Sequence, residues 1–425
     1  MGVISRSLRA GSITPGSASP ADAIAWLRTP EAIRGRCGLV LAAAERGDLE
    51  HFALAPARLD EAADYVIATI RTSYPDLKVP YHSRWRHFST GGRDRWASLA
   101  TRLKHLAPDE IARIRFDLAV VSVLLDAGAG EAWRYRDPAS GATFARSEGL
   151  AVASFDLFTA GLFSDSSGQP LRADAEALIA LEPSALGTAL QASEENPLVG
   201  LEGRAGLLNR LGEALCAQPD VFGERPRIGH LFDHLAAQAR GGALPAPAIL
   251  SALLEGFGAI WPGRIELAGV NLGDVGRHPA AATGDLTSGL VPFHKLSQWL
   301  AYSLIEPLEE AGIRVVELDR LTALAEYRNG GLLIDLGVLR PKHDAVLGEP
   351  HAPASEIVVE WRALTVALID RLAALIRDKL GLSPAELPLA KVLEGGTWSA
   401  GRRIAKELRQ GGSPPIRLIS DGTVF

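Results

Sequence analysis

The chain of 425 residues carries 44 lysines and arginines against 50 aspartates and glutamates, a formal charge of −6, which is not the balance of a nucleic-acid-binding protein. With 47 % apolar residues it can bury a sizeable core, so disorder is excluded as its main state; at roughly 100–200 residues per domain, its length suits two or three domains or one large one. Its two cysteines, Cys37 and Cys216, lie far apart with no Cys-x-x-Cys and no nearby histidine pair, so neither a disulfide framework nor a zinc site is expected, and a reducing cytoplasm fits best.

Residues 1–20 contain Arg, Ser, Gly and Pro without a continuous apolar stretch and read as a flexible segment rather than a signal peptide. Beyond them apolar positions recur at three- and four-residue steps, the helical period, beginning with Val66, Ile67 and Ile70. The most apolar run, Leu118 to Leu125, is bounded by Asp117 and Asp126 and falls far short of the roughly 20 residues of a membrane span. Trp133 to Arg136, a turn through Asp137 to Gly141, and Thr143-Phe144 alternate as a hairpin would. Pro170, Pro197, Gly241-Gly242, Pro279 and Gly411-Gly412 punctuate further helical segments, of which Ile357, Trp361, Leu364, Leu368, Leu372, Leu375 and Leu380 mark the longest. Ile416 to Ile419 reads as a short edge strand. The expectation is a mostly α protein with a minor β-hairpin, in a single large helical domain over residues 21–425.

Three constellations concentrate chemistry. His82-Ser83-Arg84-Trp85-Arg86-His87-Phe88, followed by Gly91-Gly92-Arg93-Asp94-Arg95, places guanidinium forks and imidazoles beside a double-glycine turn in an acidic protein. That composition suits an oxyanion or phosphate cradle, or else a surface loop with structural Arg–Asp pairs. In Phe293-His294-Lys295-Leu296-Ser297-Gln298-Trp299, a helix from about Phe293 puts Lys295, Trp299, Tyr302 and Glu306 on one face. Lys295 then lines a pocket with aromatics or lies solvated over a packed tryptophan. In Glu326-Tyr327-Arg328-Asn329-Gly330-Gly331, Asn329 is a suitable N-cap for a helix starting at the double glycine. Glu326 would then sit ahead of a positive helix end that keeps it ionised, for catalysis or to brace a turn with Arg328.

Trp261-Pro262 in a loop can wall a pocket, and Gly273-Asp274, His278 and the ending Asp421-Gly422-Thr423-Val424-Phe425 are smaller signals. There is no GxGxxG, P-loop, nucleophile elbow or HEXXH pattern, so no cofactor and no metal are expected.

His82 to Phe88, Phe293 to Trp299, Glu326 to Gly331 and Asp421 to Phe425, in that order, resemble the uracil-catabolism family of fungi and bacteria, long a domain of unknown function. The resemblance runs from about Ala21 to Phe425. One departure is Gly276, where an aromatic residue is expected. Phe293-His294-Lys295 with Gln298, then Glu326-Tyr327-Arg328 and Leu336 to Leu339, are also similar to the queuosine-salvage family. Its members hydrolyse a nucleotide N-glycosidic bond on a helical fold akin to DNA glycosylases. There Glu326 falls on an aspartate and Lys295 on a lysine, while Asn329-Gly330-Gly331 replaces a Val-Pro-Gln. These resemblances imply a DNA-glycosylase-like helical core and hydrolysis of a ring-opened pyrimidine nucleotide, a ribosylurea or its 5′-phosphate, to urea and the sugar. Glu326 would be the carboxylate near C1′. Lys295 or His294 would donate to the leaving group. Arg84, Arg86, His82 and His87 would hold a phosphate, with Arg328 an outside candidate, and Tyr327, Trp299 and Trp261 would complete the substrate site. The partner expected is a small molecule, not nucleic acid or membrane. The rivals are an amidohydrolase attacking the urea carbonyl and a non-catalytic sugar-phosphate binder.

Overall fold

The computed structural model describes residues 19–261 and 265–419. The protein is mostly α: helices pack around one contiguous apolar core that runs from Ile33 to Ile416, and its β structure among these residues consists of small two-stranded pairings. None of the described helices is long and apolar enough to cross a membrane.

The longest of these helices follows from its apolar period. Glu356–Leu380 spans 25 residues, buries Trp361, Leu364, Leu368 and Leu372, and ends at Gly381 in the left-handed region, the usual way a helix stops. It packs against the helices Pro30–Arg46, Arg58–Ser73 and Tyr327–Asp335. The apolar run after Asp117 belongs to the helix Pro108–Leu124, which lies on Lys295–Glu310. The expected hairpin forms with Tyr135 opposite Phe144. The C-terminal strand is Arg417–Leu418, paired in parallel with Pro350–His351.

Helix starts differ from the expectation at two places. The lysine helix begins at Lys295, because Asp274 gathers its first turn: the Asp274 carbonyl accepts the N–H groups of Phe293 and His294 at 2.9 and 3.2 Å, and its carboxylate accepts Lys295 N–H at 2.9 Å. The helix after Glu326 begins at Tyr327 rather than at the double glycine, and Asn329 is not its cap. Glu326 has extended backbone angles and itself takes the N–H groups of Arg328 and Asn329, at 2.9 and 2.6 Å. Gly330 and Gly331 thus lie inside the helix. A Cβ on Gly330 would stand 2.6 Å from the Trp361 indole, and one on Gly331 3.0 Å from Pro415, so the glycines serve close helix packing, not a break. Gly276 is explained the same way: a Cβ there would meet Val359 at 2.6 Å, so Val359 occupies the space an aromatic side chain would need.

One irregularity bears on the site. Between Leu389–Lys391 and Ser399–Leu408 the helix widens into a π segment, Val392–Trp398. Such insertions recur at functional sites because the extra residue re-aims a side chain. Here the segment ends on Trp398, which lines the cleft described next. The terminal Asp421 to Phe425 and Pro262 to Arg264 lie outside the described residues.

Candidate active site

A cleft of about 330 Å³ opens where the starts of the Lys295–Glu310, Tyr327–Asp335 and Arg146–Thr159 helices meet. It brings together Glu326, Lys295, Tyr327, Arg328, Trp299, His82 and His87 from the three constellations read in the sequence. Arg84, Arg86, His294 and Trp261 are not on its lining.

Glu326 is buried, and as N-cap its carboxylate sits at the positive end of its helix. Burial pushes the Lys295 ammonium below its ordinary value, while Glu326 is the main charge opposing that shift and Asp126 adds to it. Lys295 is therefore coupled to both cleft carboxylates. A buried bridge fixes the two candidates relative to each other. Arg362 grips Asp274 with two bonds of 2.8 and 2.7 Å and also reaches the carbonyl of Ala325, next to Glu326, at 3.3 Å. Burial alone would raise the Asp274 carboxyl, but Arg362 and the Lys295 N–H hold it down at about 2.

Aromatic rings form the other walls. His82 stacks on Trp299 at 6.2 Å and pairs through Nδ1 with Glu394 at 2.7 Å. Arg328 lies over both Trp398 and Tyr327, at 5.1 and 5.2 Å. The Trp299 indole nitrogen is buried without an acceptor among the described residues. His87 packs 5.7 Å from Trp299 and 5.8 Å from Trp398. Burial first, then Arg84 and the other cations around it, push the His87 imidazole well below its ordinary value. It is neutral, and since Arg84 stands 3.3 Å from its Nδ1, Nδ1 accepts and Nε2 carries the proton.

The expected arginine cradle does not assemble. Arg84 is fully buried, 3.0 Å from Asp126 and 2.6 Å from the Ser122 hydroxyl. Arg86 points the other way to Glu306 at 2.5 Å, which also accepts from Ser83. Arg84→Ala should therefore destabilise the fold by about 3–5 kcal/mol by stranding the buried Asp126 charge. Arg86→Ala, which breaks a partly exposed pair, should cost about 1 kcal/mol or less. Chemical denaturation checks this, and equal losses would contradict the placement. His294 adopts a left-handed φ of 47° and bonds through Nε2 to the Leu27 carbonyl at 3.0 Å, away from the cleft. Trp261 is buried and receives Asn271 on its carbonyl at 2.7 Å.

His278 belongs to a separate cluster with Glu356 and Glu360. Its Nδ1 accepts the Ala280 N–H at 3.1 Å, so Nε2 carries the proton and faces Glu360 at 3.2 Å. Glu360 also takes the Phe52 N–H at 2.8 Å. These groups satisfy one another, and His278 keeps no lone pair for a metal ion.

Asp126, Arg146, Ser147 and Trp398 also line the cleft and were missed in the sequence. The signal for Asp126 was the alternating Asp126-Ala127-Gly128-Ala129-Gly130 after a long apolar helix, and nothing local marks Arg146 and Ser147. Trp398 was detectable only as an aromatic beside Gly395-Gly396.

Fold and site define a helical protein with a cleft that holds two carboxylates, a half-buried lysine and aromatic walls. The chain belongs to the DUF1688 family, described as a protein of unknown function, which matches residues 26–425. It is 39 % identical over 412 residues to "Protein urg3" of Schizosaccharomyces pombe, covering 95 % of this chain and 99 % of that protein. It is 38 % identical over 411 residues to "Uracil catabolism protein 4" of Lachancea kluyveri, covering 89 % and 93 %.

Proposed function

We propose that this protein acts in uracil catabolism, as the name of its Lachancea kluyveri relative states for that protein, and that it hydrolyses the N-glycosidic bond of a ribosylurea. The observation that carries the reading is the placement of Glu326 and Lys295 in one cleft, held by the Asp274–Arg362 bridge. Cleavage of a ribosyl C–N bond develops positive charge at the sugar ring. Glu326 supplies negative charge opposite C1′, as nucleophile or as the group that positions water. Lys295 donates toward the departing ureido group, and Trp299, Trp398 and Tyr327 stack on its planar face. In balance, C1′–N breaks, the water oxygen joins C1′, and a water proton ends on the leaving nitrogen, giving urea and the reducing sugar.

The deciding experiment is incubation with ribosylurea and its 5′-phosphate, with products read by mass spectrometry. Intact urea plus free sugar is expected. Ammonia and carbon dioxide would instead indicate attack on the urea carbonyl, and unchanged ligand would indicate a binding protein. Activity is further expected to survive exhaustive chelation, since a carboxylate and oriented donors suffice for this reaction. Loss with EDTA and recovery on adding one divalent metal would overturn that and favour the amidohydrolase.

A further inference from the structure

Between the helix Pro108–Leu124 and the hairpin, Asp126-Ala127-Gly128-Ala129-Gly130 runs along one wall of the cleft. The hydrogen bonding of this loop is one-sided. Its carbonyls are taken from behind: the fully buried Arg204 donates to those of Leu125, Ala127 at 2.8 Å and Gly128 at 2.9 Å, and Val199 N–H donates to that of Ala129 at 3.2 Å. The N–H groups of Ala127, Gly128, Ala129 and Gly130 have no acceptor among the described residues, although Ala127 and Ala129 are only 2 % and 4 % exposed. Buried amides are rarely left without acceptors, and successive free amides in a loop make an anion-binding concavity.

Unmet donors point the same way. The buried Arg84 pairs with Asp126 at 3.0 Å and its Nη2 finds no acceptor among the described residues, while the buried Arg204 spends its Nη donors on the loop's carbonyls. Across the loop, the helix Arg146–Thr159 begins without a side-chain cap, and its first residues, Arg146 and Ser147, line the cleft. The buried Trp299 indole N–H adds a further donor without a partner. Donors without acceptors on Arg84 and Trp299, an uncapped helix start and free amides converge on one cleft, the set an anion would satisfy.

We propose that the Ala127–Gly130 amides, with Arg146 and the start of its helix, seat a phosphate monoester, the 5′-phosphate of the ribosyl substrate. The identity of the ligand rests on the N-ribosidase reading, whereas the anion seat does not. Arg84 and Arg204 act from behind the loop as positioning residues and do not touch the phosphate. Gly130 is required in its place: its φ is +85°, and a Cβ would stand 2.7 Å from Val199.

The test is hydrogen–deuterium exchange on the full chain with inorganic phosphate, ribose 5-phosphate or ribose, at matched ionic strength in chloride. Both phosphates should slow exchange at residues 126–131 and 146–149 at least tenfold at saturation, and ribose should not. Arg146→Gln should weaken phosphate binding about tenfold or more, the loss expected of one charge-assisted contact. Protection centred on residues 82–88, or none at millimolar phosphate, would overturn the proposal. If Arg146→Gln does not fold, exchange in the unaltered protein still decides. Protection without turnover of either ribosylurea would leave the seat standing and remove the N-ribosidase reading. Equal turnover of both ribosylureas without protection would do the reverse.

Discussion

Glu326→Gln is expected to lower turnover about a thousandfold while ligand binding stays near normal. The substitution keeps the shape of the side chain and removes its charge; if that charge lowers the barrier by ~4 kcal/mol, the rate follows by that factor. The structure adds a second consequence. Both carboxylate oxygens accept backbone N–H groups, from Arg328 at 2.9 Å and Asn329 at 2.6 Å. A glutamine keeps one acceptor and turns an NH2 toward the other amide, so the cap should weaken by about 1 kcal/mol. Kinetics, calorimetric binding and a denaturation curve on one preparation separate the two effects. A Glu326→Gln protein that loses the cap energy yet keeps most of its turnover would show Glu326 to be a cap only. Asp126 would then be the carboxylate to examine, because it lines the cleft, whereas Asp335, gripped by Arg409 at 2.8 and 2.6 Å, and Asp274, gripped by Arg362, do not.

The helical architecture was legible because it rests on a period that local sequence carries. Trp361, Leu364, Leu368 and Leu372 recur on one face, and the helix Glu356–Leu380 follows. The start at Tyr327 was not legible, since Gly330-Gly331 has low helix propensity and only the approach of Trp361 and Pro415 explains why glycines are needed inside the helix. The π segment before Trp398 was likewise hidden, because no local pattern announces one extra residue in a turn.

For the site, Lys295 with Trp299 could be read as neighbours at i, i+4 because helix geometry alone puts them together. The arginines show the opposite case. Sequence gives the charge of Arg84 and Arg86 but not their partners, and Asp126 arrives from a distant loop and Glu306 from a distant helix. The anion seat proposed for the loop after Asp126 uses backbone N–H groups, which leave no trace in residue chemistry except the glycines that permit the conformation.

Replacing Lys295 carries the other large expected effect. Lys295→Met should reduce turnover by about 10²–10⁴-fold, the range for loss of a positioned proton donor, and a denaturation curve on the same preparation reads separately what removing this charge from beside Glu326 and Asp126 costs the fold. The pH dependence gives an independent check. Burial sets the folded-state value of Lys295 below 10.5, so the ammonium is lost, and turnover should fall, at a pH below that value. Between the lowered value and 10.5 the unfolded chain binds a proton that the folded chain does not, so this group makes stability rise with pH. An alkaline fall in kcat over that window, at pH values where the melting curve still shows a folded protein, is therefore expected from chemistry and not from unfolding. Lys295→Arg, which keeps its charge throughout, should lose that alkaline limb even if its rate is lower. An unchanged limb in Lys295→Arg would assign the titration to another group and return Lys295 to an electrostatic support for Glu326.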